Sequence, residues 1–374
     1  MVTLYIGTPL KDVPLLFILD DVAGNTKEAR QNLWNFFQGS SRRMDFGFMR
    51  IVDDPNQADF FLLPHNYFSL KKIKGIRGTK EYLAPLLRLA EASKKNILVF
   101  ALADTDEYVD IPHAFVFRYG QYGYRKRDNE IIIPPYTEPA LSPRLMEYRR
   151  NVWKGIALRN KEEKPTVSFC GWADFPNIYR FLTYIVRVGL AYARIYAFGD
   201  THAIVRLHGI YWRRRAMHVL RGSHLLNTVF ILRRSYSAQK GRDGENSISG
   251  EAAEKEYIES ILHSDFVLAP RGNANASIRF FEALSLGRIP VLIDTDCILP
   301  FADKIKYEDF VVVVPYTDIK NAEKRIRVFY DTLSNEEFHR RQTMAREAFE
   351  MLRPDSFLRI VLPELKGKKY GYSA

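Results

Sequence analysis

The stretch SDFVLAPRGNANASIRFFEALSLGRIPVLIDTDCILPF, residues 264–301, decides the fold of this chain. The apolar run from Phe266 to Leu268 ends at Pro270, and a helical pattern opens near Ala276 and closes at Gly287 before a second apolar run. This order is half of a β-α-β unit, which leaves a helix N-terminus beside the carboxyl end of a strand. Unpaired backbone N–H groups and the helix dipole favour a phosphate there.

Two charged side chains share one face of this predicted helix, because Arg279 and Glu282 are three residues apart. Arginine offers a planar fork of donors that matches phosphate oxygens, and a carboxylate can accept two hydrogen bonds from a vicinal diol. We therefore assign Arg279 and the Gly272–Ser277 backbone to a pyrophosphate and Glu282 to ribose hydroxyls. The alternative is an exposed ion pair worth about 0.2 to 0.5 kcal/mol. The full candidate set is Arg271, Gly272, Asn273, Ser277, Arg279 and Glu282.

The same stretch resembles the nucleotide-binding signature of the exostosin family of glycosyltransferases. That signature runs Phe-x-Leu-x-Pro-x-Gly, then Ser-x-Arg-x-x-Glu-Ala-Leu, then Gly-x-Ile-Pro-Val-x-Ile and Leu-Pro-Phe. The matching positions are Phe266, Leu268, Pro270, Gly272, Ser277, Arg279, Glu282, Ala283, Leu284, Gly287, Ile289, Pro290, Val291, Ile293, Leu299, Pro300 and Phe301. Weaker echoes lie at residues 58–68, 94–104, 129–139 and 167–172.

The resemblance implies an α/β fold of GT-B architecture, with two Rossmann-like domains facing one another across a cleft. It also implies transfer of a sugar from a nucleotide-diphosphate sugar, with UDP suggested as the nucleotide, to a hydroxyl of a glycan or polysaccharide. The transfer would invert the anomeric carbon without a metal, and no cofactor beyond the donor substrate is expected.

In the first half of the chain, helical patterns alternate with apolar runs, which favours strands of a parallel sheet with crossovers. These runs are residues 14–19, 46–52, 58–64, 96–103, 114–117 and 130–133. Prolines at residues 134–144 mark an irregular crossing segment. We predict an acceptor-binding domain over residues 1–150, a nucleotide-sugar domain over 151–350, and a C-terminal segment, 351–374, that crosses back to the first domain. The loop at residues 241–250 is predicted to act as a lid.

Composition is typical of a globular protein, with 374 residues of which 47% are hydrophobic. We expect no segment that spans a bilayer, because no segment is both long enough and sufficiently free of charge. We expect no signal peptide, because no basic leader precedes the N-terminal apolar stretch and Asp12 and Pro14 interrupt it. Cys170 and Cys297 are isolated in the sequence, which favours a protein of the reducing cytoplasm. Such a protein could work at a membrane face. The alternative is a lumenal catalytic domain without its anchor.

The net charge of +11 is concentrated in one region, because residues 201–242 contain no acidic residue. Such charge could steer nucleotide diphosphates, attract an acidic glycan, or hold the protein peripherally against anionic lipid headgroups. It could equally be a solvated helix face. Nucleic acid is not expected as a partner, because the aromatic residues form no stacking platform. The sequence does not indicate an oligomeric state.

Inverting transfer needs a general base that removes a proton from the acceptor hydroxyl. Asp104 and Asp106 follow one apolar strand of the first domain, and His65 follows another, so these three are the candidates. Each has an ordinary structural alternative, since an aspartate after a strand often caps a helix and a lone histidine is often a packed residue.

Other functions remain open. The motifs Asp104-Thr105-Asp106 and Asp294-Thr295-Asp296 both resemble the Asp-x-Asp of metal-dependent glycosyltransferases, in which carboxylates hold Mn or Mg against the diphosphate. A GT-B-shaped nucleotide-sugar epimerase or hydrolase would need no acceptor. A non-catalytic glycan-binding protein would keep the fold without the activity.

Overall fold

The computed structural model describes residues 1–22, 44–135, 157–175, 177–233 and 250–368. They divide into two compact units, Met1–Pro135 with Met351–Ala374, and Tyr136–Glu350. Each unit is built on a parallel β-sheet. These two sheets confirm the predicted α/β class and its Rossmann-like units.

The first unit holds a six-stranded sheet in the order β2-β1-β3-β4-β5-β6. Its strands are β1 Val2–Ile6, β2 Met49–Ile51, β3 Phe60–Leu62, β4 Ile97–Phe100, β5 Ala114–Arg118 and β6 Glu130–Ile132. All described pairings between them are parallel. Strands β3, β4 and β5 are buried at every residue, as expected where helices cover both faces of a parallel sheet.

Helices α1 Phe17–Val22, α2 Tyr67–Ala92 and α9 Pro354–Leu365 belong to this unit. Gly75 interrupts α2 with a φ of 69°. The predicted apolar strand at residues 14–19 is wrong, because only Leu15 makes an isolated bridge and the chain then turns into α1. The C-terminal helix α9 is held to the unit by Asp355, whose Oδ2 accepts the Asp45 N–H at 2.9 Å.

The second unit holds a five-stranded parallel sheet in the order β11-β10-β9-β7-β8. Its strands are β7 Thr166–Trp172, β8 Asn227–Arg233, β9 Phe266–Ala269, β10 Ile289–Asp294 and β11 Val312–Pro315. Its helices are α3 Ile178–Phe198, α4 Gly209–Arg221, α5 Gly250–Leu262, α6 Ile278–Ser285 and α7 Ala322–Asp331, and α8 Asn335–Leu352 ends at the unit boundary.

The core of the second unit is apolar and aromatic. Phe266 of β9 is fully buried, and its ring packs edge-on against Tyr330 at 5.9 Å between centroids. Trp212 of α4 is also fully buried, 4.8 Å from the ring of Tyr211. Burial of one such side chain contributes about 1.5 to 3 kcal/mol, so this core fixes the strand ends that carry the candidate site.

Candidate functional site

The strand order of the second sheet locates a binding crevice. The chain runs from β7 to β8 on one side and then returns to place β9 on the other side of β7. Such a reversal leaves a crevice outside the carboxyl ends of the two strands, where open α/β sheets bind ligands. The predicted glycine loop and α6 follow β9 directly, so they lie at this switch point.

Helix α6 forms at the position that the sequence predicts. It spans Ile278–Ser285, and Ser277 at its N-cap makes no side-chain capping bond. Gly287 ends it with a φ of 63°, a left-handed conformation that glycine adopts without strain. The preceding loop is closed by a bond from the Gly272 N–H to the Ala276 carbonyl at 2.7 Å. This geometry presents an uncapped helix start to a ligand.

Arg279 reaches from α6 to the end of β7. Its Nη2 donates to the Cys170 carbonyl at 2.8 Å, and its Cζ lies 4.2 Å from the centre of the Phe169 ring. Its Nε is buried and has no hydrogen-bond partner. A buried charged donor without an acceptor is costly, so the guanidinium has unused capacity for an anion at the switch point.

Gly171 makes room for that guanidinium. Its φ is 152°, and a Cβ added there would lie 2.5 Å from the Arg279 Nη2. Any side chain at this position would therefore push the guanidinium away from the end of β7. Local sequence spacing gave no reason to single out Gly171, since a glycine inside a strand has many uses.

Glu282 is more enclosed than the sequence suggested. Its side chain is buried, and its Oε2 accepts a hydrogen bond from the Tyr257 hydroxyl of α5. Burial raises the pKa of Glu282, while the Tyr257 hydrogen bond and the Arg279 charge oppose that change. Burial also raises the pKa of Tyr257 well above its usual value. If Glu282 binds ribose hydroxyls, as the sequence predicts, its carboxylate must accept hydrogen bonds from the ligand and from the Tyr257 hydroxyl at the same time.

Arg271 and Asn273 stabilise the loop itself. Arg271 is buried, with Nη1 donating to the Val205 carbonyl at 2.8 Å and Nη2 to the Asn273 carbonyl at 2.5 Å. These bonds favour a structural role for Arg271 over the predicted contact with phosphate. The Asn273 residue is exposed at the loop tip, so its side chain remains available to a ligand.

The loop is anchored to the end of β10 by a residue that the sequence analysis missed. Asn275 Nδ2 donates to the carbonyls of Thr295 at 3.1 Å and Asp296 at 2.9 Å, and its Oδ1 accepts from the Thr295 hydroxyl at 2.6 Å. In the Asp294-Thr295-Asp296 motif, Asp294 Oδ1 accepts the Cys297 N–H at 2.9 Å. The Asp294 carboxylate therefore stabilises the turn formed by residues 294–297.

Backbone approaches backbone where α4 begins. A Cβ added to Gly209 would lie 2.3 Å from the Gly272 carbonyl oxygen and 2.6 Å from that of Arg271. Only glycine fits, because neither carbonyl is a flexible side-chain end. The start of α4 is thus packed directly on the glycine loop.

His65, in the first unit, has both ring nitrogens engaged. Nε2 accepts the Leu10 N–H at 2.9 Å, and Nδ1 lies 3.0 Å from the Pro14 carbonyl, to which it donates. Burial lowers the pKa of His65. A neutral, fully bonded imidazole has no nitrogen to take a proton from an acceptor, so the geometry disfavours His65 as the predicted base.

The two aspartates differ in their surroundings, although both follow β4 in the first unit. Asp106 Oδ2 accepts from Arg125 Nη1 at 2.7 Å. Asp104 is exposed. Asp104 is therefore the better candidate of the pair, and its role as the base stays a prediction. Among the described residues, no group of three or more His, Cys, Asp or Glu side chains could hold a metal ion.

The basic region is only partly a free surface. Arg206 pairs with Asp200, Arg233 pairs with Glu256 at 2.9 Å, and the buried Arg213 donates to the Trp172 carbonyl at 2.8 Å. Arg214, Arg215 and Arg221 line a pocket, and Arg214 also lies 3.5 Å from Asp174. Arg234, Lys240, Arg242 and most of the predicted lid at 241–250 lie outside the described residues.

One helix corrects an expectation from the sequence. Among the described residues, α3 is long and apolar enough to cross a membrane by length and composition, with a mean hydropathy of 1.2 over its most apolar window. Only 6% of that window is buried in the structure. Its arginines are spaced widely, so they interrupt the apolar sequence without removing its apolar character.

Comparison with known proteins places the chain beside the same family that the sequence resembles. Residues 213–329 match the family model of the exostosin GT47 domain. An exostosin-1 homolog of Caenorhabditis elegans is 41% identical over 63 residues, 17% of this chain and 16% of that protein. A probable beta-1,4-xylosyltransferase of Arabidopsis thaliana is 44% identical over 63 residues, 17% of this chain and 15% of that protein. The matches thus span less than a fifth of these relatives.

Among solved structures, the catalytic domain of starch synthase IV from Arabidopsis thaliana, bound to ADP and acarbose, is matched over 95% of this chain and 99% of that one. The identity is 10% and the TM-score 0.28, a likeness too slight to identify a ligand here. The family match itself covers β8 to β11 and all of the loop and α6 described above. Residues 213–329 of the second unit therefore match the exostosin GT47 domain, and the resemblance to the exostosin-like glycosyltransferase family is confirmed.

Proposed function

We propose that this protein is a glycosyltransferase that moves a sugar from a nucleotide-diphosphate sugar to a hydroxyl of a glycan. The single observation that carries the proposal is the position of Arg279. It lies at the start of α6, beside the carboxyl end of β7 at the switch point of a parallel sheet, with a buried Nε that has no partner. A diphosphate is the ligand that best satisfies this combination of charge and helix dipole.

Each part of the site has a separate task in this proposal. The α6 N-terminus and Arg279 stabilise the negative charge that develops on the departing diphosphate. The loop backbone from Gly272 to Ser277 approaches the phosphates closely because it carries small residues. Glu282 accepts the ribose hydroxyls while Tyr257 keeps its carboxylate oriented.

The finer points of the reaction rest on the resemblance, except the choice of the base, which rests on the exposed position of Asp104 after β4. We propose UDP as the nucleotide, inversion at the anomeric carbon, no metal, and Asp104 as the general base. A glycan acceptor is supported by the names of relatives, which include a probable beta-1,4-xylosyltransferase and a probable glucuronosyltransferase. Those activities belong to those proteins, and this chain matches only part of each.

The proposal is tested first by binding. Thermal unfolding of the whole chain is followed with UDP, ADP and GDP, with and without EDTA, because a ligand that binds only the native state raises the unfolding temperature. We expect UDP to stabilise the protein. Arg279→Gln should weaken binding about 10- to 100-fold, since a charge-assisted bond is worth about 1.5 to 3 kcal/mol. Arg325→Gln serves as the control, because Arg325 lies on α7 and pairs with Asp318, which precedes that helix.

Turnover then separates transfer from the alternatives. Product analysis with UDP-sugars and a panel of neutral and acidic oligosaccharides, xylan fragments among them, should show acceptor-dependent consumption of the donor. Consumption that is independent of acceptor would identify a hydrolase or epimerase. Loss of transfer in EDTA with recovery in manganese would overturn the metal-independent mechanism. Absence of nucleotide binding with retained glycan binding would overturn the assignment as an enzyme.

A further inference from the structure

Helix α3 exposes an apolar face to solvent, which is the reverse of the usual arrangement. The exposed large side chains of this face are Ile178, Tyr179, Leu182, Ile185, Val186, Leu190, Tyr192 and Tyr196, and Phe198 is exposed at the end of the helix. Tyr196 is 85% exposed and Phe198 83%. Isolated apolar side chains on a surface are ordinary, but a contiguous patch of this kind marks a site of interaction.

The opposite face of α3 packs on the second unit. Ala191 is buried in the core cluster, and Tyr184, Val188 and Ile195 pack against that cluster. These residues recur at helical spacing, so they form one stripe along the helix. The helix begins after β7 and the chain returns to β8 in the same sheet. Helix α3 therefore lies along the surface of the second unit, and its apolar face points to solvent.

Positive charge borders this face on one side. Arg180, Arg187 and Arg194 are spaced by seven residues, which places them on a single flank of the helix. Helix α3 contains no acidic residue. In the part of the chain that the structure describes, no carboxylate forms an ion pair with any of the three.

A basic pocket borders the face on its other side. Its volume is about 510 Å³, and it is lined by Tyr184 and Tyr192 of α3, by Ala173 and Leu232, and by Tyr211, Arg214, Arg215, Met217, His218 and Arg221 of α4. Arg215 Nη1 donates to the Tyr211 hydroxyl at 2.7 Å. Arg214 Nη1 lies 3.5 Å from Asp174 Oδ1, and both side chains are exposed. The lining is thus strongly cationic.

We propose that this surface, the exposed face of α3 with its arginine flank and the basic pocket, docks on an anionic phospholipid bilayer. An amphipathic helix with arginines and aromatic residues beside an apolar face lies in the plane of the lipid interface. The apolar side chains enter the acyl boundary, the tyrosines lie at the headgroup level, and the arginines of both flanks meet lipid phosphates. The function of the donor site is not needed for this binding.

Charge selects the bilayer over a second copy of the chain. Two apolar α3 faces packed together would bring both arginine flanks of one protein near those of the other. Like charges so placed repel, and no acidic residue on α3 offsets them. An anionic surface complements the same charges without that penalty.

Sedimentation with vesicles tests the proposal. The full chain is mixed with vesicles of phosphatidylcholine alone and of phosphatidylcholine with about one third phosphatidylserine. We expect binding at least tenfold tighter to the anionic vesicles, because each arginine near such a surface contributes about a factor of five. Salt at about 1 M should abolish most of the difference, because it screens surface charge. Equal binding to both vesicle types, or binding to neither, overturns the proposal.

Variants on the apolar face provide the second arm. Leu182, Val186 and Leu190 are 54%, 60% and 59% exposed, so their joint replacement by Gln leaves the core intact. We expect L182Q/V186Q/L190Q to weaken vesicle binding at least tenfold, since each loses apolar burial in the lipid. Val328→Gln is the control, because Val328 is 56% exposed on α7 of the same unit. Equal effects of the triple variant and the control refute the role of α3.

Charge reversal on the flank and a fluorescent probe complete the design. R180E/R187E/R194E should lose the preference for anionic vesicles. Tyr196→Trp should give emission that shifts to the blue on anionic vesicles and is quenched by brominated lipid, which an unrelated folding defect would not produce. A protein that forms a dimer broken by L182Q/V186Q/L190Q, and that ignores vesicles, would identify a second copy as the occupant instead. Unchanged UDP binding in these variants separates this surface from the donor site.

Discussion

Gly171→Ala is expected to damage both the stability of the second unit and its donor site. The new Cβ would lie 2.5 Å from the Arg279 Nη2, so the guanidinium must move and lose its 2.8 Å bond to the Cys170 carbonyl. That bond is worth about 1.5 kcal/mol because the donor is charged. The φ of 152° adds about 1 to 2 kcal/mol of backbone strain. The total loss is about 3 kcal/mol in free energy of unfolding.

Urea unfolding measures this loss, followed by tryptophan fluorescence, to which Trp172 and Trp212 of the second unit contribute. The steric part is isolated by a double-mutant cycle with Arg279→Ala, in which Gly171→Ala should cost about 1.5 kcal/mol less. Gly189→Ala is the matched control. Gly189 lies within α3 with open space around it, so alanine there should be neutral or stabilise by about 0.5 to 1 kcal/mol.

The reasoning is refuted if Gly171→Ala costs the same with and without the Arg279 side chain, because the clash would then have no part in the effect. It is also refuted if the variant is as stable as the Gly189→Ala control. In the donor assay, the displaced guanidinium should raise the dissociation constant of UDP. An unchanged constant would show that Arg279 does not contact the diphosphate.

Three further outcomes follow from buried polar groups. Burial raises the pKa of Glu282, so its contribution to stability declines as pH rises above the ordinary carboxyl range; Glu282→Gln should gain stability relative to wild type between pH 4 and 7 in thermal unfolding. Burial lowers the pKa of His65, so His65→Gln should flatten the loss of stability that wild type shows as pH falls below about 6.5. Glu130→Ala should cost about 3 to 5 kcal/mol in urea unfolding, because it strands the buried Arg118 guanidinium.

The arrangement of strands was largely readable from the sequence. Apolar runs at 96–103, 114–117 and 130–133 became β4, β5 and β6, and the glycine loop and α6 formed as predicted. Such runs are informative because helices cover both faces of a parallel sheet, so its strands are apolar throughout. The run at 14–19 misled because a short buried helix segment and a strand have the same apolar composition.

The contacts within the site could not be read in the same way. The bond from Tyr257 to Glu282 joins α5 to α6, and Asn275 joins the loop to the end of β10. Both depend on how distant segments pack, which spacing along the chain does not encode. The arginine at 271 looked like a phosphate ligand from its neighbours, whereas three-dimensional packing brings the Val205 carbonyl to it. The exposed face of α3 was missed for a related reason, since an apolar helix is normally expected to be buried.

The contact between Gly209 and Gly272 limits how the second unit can be redesigned. No side chain lies between the two backbones. A displacement of the glycine loop therefore cannot be accommodated by a change of side-chain rotamer at the contact with α4. Loop grafting or directed evolution that lengthens residues 270–276 must therefore shift the whole of α4, together with the arginines of the basic pocket. Attempts to alter donor preference are better directed at the tip near Asn273, where added bulk meets solvent.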